Sequence, residues 1–192
     1  MDLKLLAWGR ARAVRTRGIP PLWLFTDTER LPDPLLAVGR LPRGLAGVVF
    51  RHDGHPDRES LAHAVAKICR ARRLVLTIAG DTRLAARLHA GVHLRGGRWP
   101  STVRAAGFVT SSAHSAADLR RAARSGACLA FLSPAFATAS HPGEPCLGVA
   151  RWSALARQAA IPVAALGGID GGSIRRLPRR LCHGAGAIGA LA

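Results

Sequence analysis

Eight histidines are scattered along the 192 residues. One of them, His114, stands in a polar run, Ser112-Ala113-His114-Ser115, directly after a short apolar stretch. Imidazole is suited to moving protons near neutral pH, because its ordinary pKa of about 6.5 lets it both accept and donate. A histidine is more often structural than catalytic, so residue type alone does not separate His114 from the other seven. Glycines mark a second kind of chemistry. Gly167 and Gly168 follow the apolar run 162–166, and Gly189 and Ala190 end the run 185–189. Backbone N–H groups left clear of side chains at such positions carry partial positive charge and attract anions. The plainer reading is that Gly167 and Gly168 permit a tight turn. Arg51, at the end of the run 45–50, presents a planar, permanently charged fork that suits phosphate or solvent equally well. Thr138 and Ser140 offer hydroxyl donors in an irregular segment, where small polar residues are common anyway.

Something must hold these groups together. Short apolar runs recur at 22–26, 45–50, 74–78, 91–94, 108–111, 128–132, 162–166 and 185–189. Between several of them lie stretches with helical spacing. In 60–72, Leu61, Ala64, Val65 and Ile68 share a face, and in 116–125 Leu119, Ala122 and Ala123 do. Strands that alternate with helices form a parallel sheet, since each crossover helix covers a face the strands leave apolar. Eight such units predict an α/β protein with a single short (β/α)8 TIM barrel over 21–192. No Gly-x-Gly-x-x-Gly follows the first run, which weakens a dinucleotide-binding alternative. Too few residues follow the eighth run for a covering helix. The extension 1–20 carries Leu3, Leu6, Ala7 and Val14 at helical spacing within 3–15, and is expected to pack beside strands 1 and 8. The irregular segments 53–59, 95–101 and 137–145 all follow strand ends, where barrel active sites lie.

Composition narrows the class of partner. The formal net charge is +17, yet only Lys4 and Lys67 are lysines and the arginines are spread over the whole length. The densest groups, at 70–73 and 175–180, are short and lack interleaved aromatics, which favours a phosphorylated small molecule over nucleic acid. Cys69, Cys128, Cys146 and Cys182 form no C-x-x-C pair and predict reduced thiols rather than a zinc site. The amino terminus is broken by Trp8, Gly9 and Arg10 and lacks the apolar run of a signal peptide. No stretch approaches the roughly 20 apolar residues of a membrane span. The expectation is a cytoplasmic protein with no membrane partner; a homo-oligomer is left open.

Six stretches taken together carry a resemblance: FTDTERL at 25–31, GVVFRH at 47–52, GVHLRGG at 91–97, SSAHSAADL at 111–119, FLSPAFATASHPGEPCLG at 131–148 and PVAALGGI at 162–169. In order and spacing the chain resembles the thiamine phosphate synthase and TenI family from Leu22 onward. The resemblance implies a (β/α)8 barrel and a place in thiamine biosynthesis. There the synthase joins a pyrimidine diphosphate to a thiazole phosphate, and TenI aromatises the thiazole phosphate by moving a proton. It implies His114 as the proton-transfer residue and Arg51, Ser112, Thr138 and Ser140 as substrate-binding residues. It also implies Gly167, Gly168, Gly189 and Ala190 as the phosphate site, with a phosphorylated thiazole as the partner molecule. His93 matches a family position too, but is expected to face the barrel interior as a packing residue.

The chain departs from the synthase pattern in one region. The synthase's Asn-Asp pair after strand 3 falls on Ala79 and Gly80, and Asp81, one residue on, is the remaining weak metal candidate. The acidic run after strand 4 is replaced by Arg95-Gly96-Gly97-Arg98, and two expected lysines are His52 and His141. Mg²⁺ is held by carboxylates together with substrate phosphates, so arginines in place of ligands work against it. The resemblance therefore leans toward a TenI-like isomerase with no cofactor. Mg²⁺ is implied only for the alternative, a divergent synthase in which Arg95 and Arg98 take over charge neutralisation. A non-catalytic barrel that binds a thiamine precursor is the third reading.

Overall fold

The apolar runs become strands that close on themselves. A computed structural model describes residues 1–13, 18–100, 107–138, 143 and 145–192. Its eight strands are β1 (Leu22–Phe25), β2 (Ala46–Phe50), β3 (Val75–Ala79), β4 (Gly91–Leu94), β5 (Val109–Ala113), β6 (Leu129–Leu132), β7 (Val163–Leu166) and β8 (Cys182–Ala187). All are parallel and pair in sequence order, and β8 pairs back onto β1 through Leu22 opposite Ala185 and Leu24 opposite Ala187. The chain is a single (β/α)8 barrel, as the strand count predicts.

Alternation of side chains sorts the residues into two apolar layers. Trp23 and Phe25 of β1 enter the barrel and meet Val49, Ala79, Leu129, Phe131 and Ala164. Leu22 and Leu24 face outward with Val48, Phe50 and Ile78 into the layer beneath the helices. The interior is filled by setting large rings beside glycine. A Cβ on Gly47 would stand 2.5 Å from the Trp23 ring, and one on Gly186 would stand 2.9 Å from Phe25. The indole N–H of Trp23 donates to the Pro20 carbonyl at 2.7 Å, so the buried ring leaves no polar atom stranded.

The helices are α1 (Leu3–Ala13), α2 (Leu35–Arg40), α3 (Arg58–Arg72), α4 (Thr82–Arg87), α5 (Ala116–Arg124) and α6 (Gly148–Arg157). Strand and helix alternate less fully than the sequence suggests. Among the described residues no helix separates β4 from β5, and only a 3-10 turn, Ser173–Arg176, separates β7 from β8. A second such turn, Gly189–Leu191, follows β8.

Three expectations need correction. First, β8 begins at Cys182, not Ala185, and ends before Gly189. The register slips between Val163 and Ala164 so that His183 is passed over, which lets a polar residue sit in a strand that does not read as an apolar run. Second, α3 buries Ala62, Val65, Ala66 and Cys69, one position round from the expected stripe, because these small side chains let the helix approach the sheet. Third, α1 does pack at the β1 and β8 seam, but through Leu5, Trp8 and Gly9. Leu3 is 79% exposed. The close contact decides the face: a Cβ on Gly9 would lie 2.5 Å from Leu22 Cγ. Val14 lies outside the described residues. The Asp2 amide also donates to the Ala190 carbonyl at 2.8 Å, tying this extension to the end of β8.

All four cysteines are free thiols. Burial pushes Cys69 and Cys182 up to about 12, which keeps them unreactive. Among the described residues no helix is long and apolar enough to cross a membrane.

Candidate active site

The carboxyl ends of the strands surround a cavity of about 1140 Å³. His114 enters it from the end of β5. Its Nδ1 lies 2.9 Å from the Ser133 carbonyl oxygen, which can only accept, so Nδ1 is the donor of this bond. The backbone on either side is pinned. Ser115 caps α5 by accepting from the Asp118 amide at 3.2 Å, and its hydroxyl donates to Asp118 Oδ2 at 2.9 Å. The same carboxylate accepts from the His114 amide at 3.0 Å and pairs with Arg121. Burial pushes the Asp118 carboxyl up, but the bonds from His114, Ser115 and Arg121 outweigh it and hold the group below the usual carboxylate range.

Gly167, Gly168, Gly189 and Ala190 also line the cavity, at the ends of β7 and β8. Gly167 and Gly168 have φ of 87° and 63°, which L side chains rarely adopt. They also lie under the loop after β6: a Cβ on Gly168 would stand 2.4 Å from the Ala137 oxygen. The positive φ of the turn and the close approach of this loop thus both require glycine here. Gly189 has open space where its Cβ would be. Asp2 and Asp170 also line this end. Asp2 Oδ2 accepts from the Gly171 amide at 2.7 Å, and Asp170 Oδ1 accepts from Ser173 and Gly172 at 2.7 and 2.8 Å. Those amide bonds, led by Gly171 and by Ser173 respectively, hold both carboxyls low.

The third side, at the ends of β1 to β4, is rich in arginine. Arg30, Arg51 and Arg95 line it together with Asp53 and His93. Arg95 pairs with Asp53 at 2.5 Å. Arg51 stands 3.9 Å from Asp27, a carboxylate already taken by Arg30 at 3.0 Å. His93 forms the floor, with Nδ1 2.9 Å from Thr110 Oγ1 and its ring edge-on to Phe25. Burial pushes it down to about 3, and the charges of Arg51 and Arg95 push the same way. It is a neutral packing imidazole, as expected, and also a wall of the site.

This region does not suit Mg²⁺. Both oxygens of Asp81 are engaged, one with the Leu84 amide at 2.9 Å as the cap of α4 and the other with Arg58 at 3.1 Å. Asp81 is absent from the cavity lining. Among the described residues no cluster of three His, Cys, Asp or Glu side chains is grouped to hold a metal.

Of the residues singled out from the sequence, Arg51, Ser112, His114, Thr138 and the four cradle residues all reach the cavity. Ser112 has a second task, since its oxygen accepts from the Gly96 amide at 3.1 Å. Ser140 and His141 lie outside the described residues. Arg98 is exposed and sits across a turn from Arg95, away from the lining. Sequence reasoning missed Asp2, Asp53 and Asp170. Asp170 directly follows the Gly-Gly-Ile motif and Asp53 opens the irregular segment after the second run, and those positions were the available signals; Asp2 had none.

Eight parallel strands whose carboxyl ends share a cavity lined by imidazole, arginines and glycine backbone define a (β/α)8 barrel with its candidate site where barrels of this kind carry theirs. The thiamine monophosphate synthase family model matches residues 25–191. A relative from Aquifex aeolicus named putative thiamine-phosphate synthase 2 is 31% identical over 180 residues, 89% of this chain and 94% of its own. A thiamine-phosphate synthase from Thiobacillus denitrificans is 33% identical over 154 residues, 74% of this chain and 71% of its own. A solved thiamine phosphate pyrophosphorylase from Pyrococcus furiosus superposes with a TM-score of 0.73 at 20% identity, covering 92% of this chain and 88% of that one. FabK from Thermotoga maritima shares the fold at a TM-score of 0.69 and 14% identity, covering 90% of this chain and 58% of that one. The chain belongs to the thiamine monophosphate synthase family.

Proposed function

We propose that the protein is a TenI-like isomerase that aromatises a thiazole phosphate by moving one proton. The backbone of Gly167, Gly168, Gly189 and Ala190 receives the phosphate, Arg51 clamps the substrate, and Ser112 and Thr138 contact it. His114 takes a proton from one ring carbon at Nε2 and the same proton is returned to another ring atom, so no co-reactant is consumed. One observation carries this reading: a histidine held through its Nδ1 by the Ser133 carbonyl lines the same cavity as Gly167, Gly168, Gly189 and Ala190. The region at β1 to β4, where both Asp81 oxygens are engaged and arginines stand where carboxylate ligands would be needed, supports it, because proton transfer needs no metal.

The test is incubation with the unaromatised thiazole carboxylate phosphate. Turnover above buffer is expected, with a loss of roughly 10²–10⁴-fold in His114→Ala and His114→Asn. No acceleration, or full activity in His114→Ala, removes the mechanism. The names of the two relatives favour a second reading, coupling of a pyrimidine diphosphate to the thiazole phosphate. That reading requires product formation dependent on Mg²⁺, and a chelator separates the two.

A further inference from the structure

At and behind the arginine end of the cavity, four cations meet three carboxylates: Arg30, Arg51 and Arg95 with Asp53 in the lining, and Arg58, Asp27 and Asp81 outside it. The pairs are not equivalent. Arg58 is 19% exposed, bonds Asp81 and the Ala79 carbonyl at 3.1 Å each, and lies against the Phe50 ring. It is part of the wall. Arg95 and Asp53 are 61% and 49% exposed, and an ion pair in that setting is screened by water and contributes little. Arg51 has one ion pair among the described residues, at 3.9 Å. Two guanidiniums therefore face the cavity with their charge weakly satisfied.

The backbone that carries Arg95 is held far more firmly than its side chain. The Gly96 and Gly97 amides donate to Ser112 Oγ at 3.1 Å and Ser111 Oγ at 2.8 Å. Arg121 Nε donates to the Gly96 carbonyl at 2.9 Å, and Ser125 Oγ donates to the Gly97 carbonyl at 2.5 Å. A Cβ on Gly97 would stand 2.6 Å from the Ala122 amide, so the turn is wedged against α5. The guanidinium itself crosses the backbone of Gly80, 3.4 Å from where a Cβ would be. It thus covers the end of β3, beside the Asp81 whose oxygens are engaged elsewhere. A fixed base with an exchangeable head suits a residue that trades one anion for another.

We propose that Arg51 and Arg95 form an anion subsite that works without a metal, in which Asp53 holds the Arg95 guanidinium until a diphosphate-like or phosphate-like group replaces it. The fork of arginine meets such oxygens with paired hydrogen bonds, and two forks supply the charge that a bridging cation would supply. Arg51 and Arg95 both act on His93, which places the two guanidiniums around the same part of the floor. The proposal rests on the cavity being the substrate site but not on the reaction performed there.

Inorganic pyrophosphate is the probe, with affinity measured by calorimetry on the whole chain in EDTA and again with Mg²⁺. Binding is expected in EDTA, and no tighter with Mg²⁺. Arg51→Ala and Arg95→Ala are each expected to weaken it by about tenfold or more. Asp53→Asn frees Arg95 and is expected to tighten binding by roughly threefold, an effect that a purely structural role for the pair would not give. His114→Ala should bind pyrophosphate as the parent does, so loss of isomerase activity and loss of this subsite are read separately. Binding that appears only with Mg²⁺, unchanged affinity in Arg95→Ala, or weaker binding in Asp53→Asn would each overturn the proposal.

Discussion

Replacing Gly168 and Gly189 one at a time by alanine should divide fold from function within the glycine cradle. At Gly168 the φ of 63° costs an alanine about 1–2 kcal/mol. The new methyl would also stand 2.4 Å from the Ala137 oxygen and 2.9 Å from Phe136 Cβ, contacts that only a backbone shift can relieve. Overpacking of this kind costs about 1–3 kcal/mol, so Gly168→Ala should lose roughly 2–5 kcal/mol in total. For a chain of this size that is a fall in Tm of roughly 4–20 °C. Gly189 has no positive φ and nothing within 4 Å of its absent Cβ, so Gly189→Ala should fold as the parent does to within about 0.5 kcal/mol. Its methyl would nevertheless add bulk at a residue that lines the cavity. The assay is urea denaturation of both variants beside calorimetric titration with inorganic phosphate. Gly168→Ala with parental stability would refute the argument from close approach, and Gly189→Ala with parental phosphate affinity would remove Gly189 from the cradle.

Two further outcomes concern the barrel interior. His93 is held down to about 3 from an ordinary 6.5, so the unfolded chain binds the proton first as pH falls. Its neutral burial contributes stability that is complete above pH 6.5 and is lost progressively toward pH 3, on the order of a few kcal/mol. His93→Gln should flatten the fall in stability between pH 7 and 4.5, leaving a residual slope from His52 and His183, which burial also holds low; an unchanged slope would contradict the assignment. Gly47→Ala drives a methyl into the Trp23 ring, 2.5 Å away, and should cost about 1–3 kcal/mol in chemical denaturation. A neutral result would mean the interior is less tightly filled than described.

Much of the scaffold was legible because burial on both faces makes a parallel strand a continuous apolar run. Gly91–Leu94 matches its run in full, and Leu22–Phe25 differs by one residue. Legibility failed where the barrel interior turns polar. Ser112 and Ala113 belong to β5, and Cys182 to Gly184 belong to β8, yet neither stretch reads as apolar. The α1 face failed for another reason: Leu3 and Leu5 are equally apolar, and only the contact of Gly9 with Leu22 decides which is buried. Within the site, His114, Arg51 and the glycines stand at strand ends and could be placed from order alone. Arg95 was visible as a residue out of place among expected ligands, but its partner Asp53 is 42 residues away, a distance that only the closed barrel removes. Arg98 drew equal notice, and the turn that joins the two sets it outside.

The bond from Gly171 to Asp2 spans 169 residues. Together with the Asp2 to Ala190 bond it docks residues that precede β1 onto residues that follow β7 and β8. Such long closures form late, because their ends must be gathered before any contact rewards them. The arginine side, built by β1 to β4, can take shape before the rest of the barrel exists. The glycine side has to wait until β7 and β8 have been made, so a nascent polypeptide stalled before β7 would own one half of its binding cavity and lack the other.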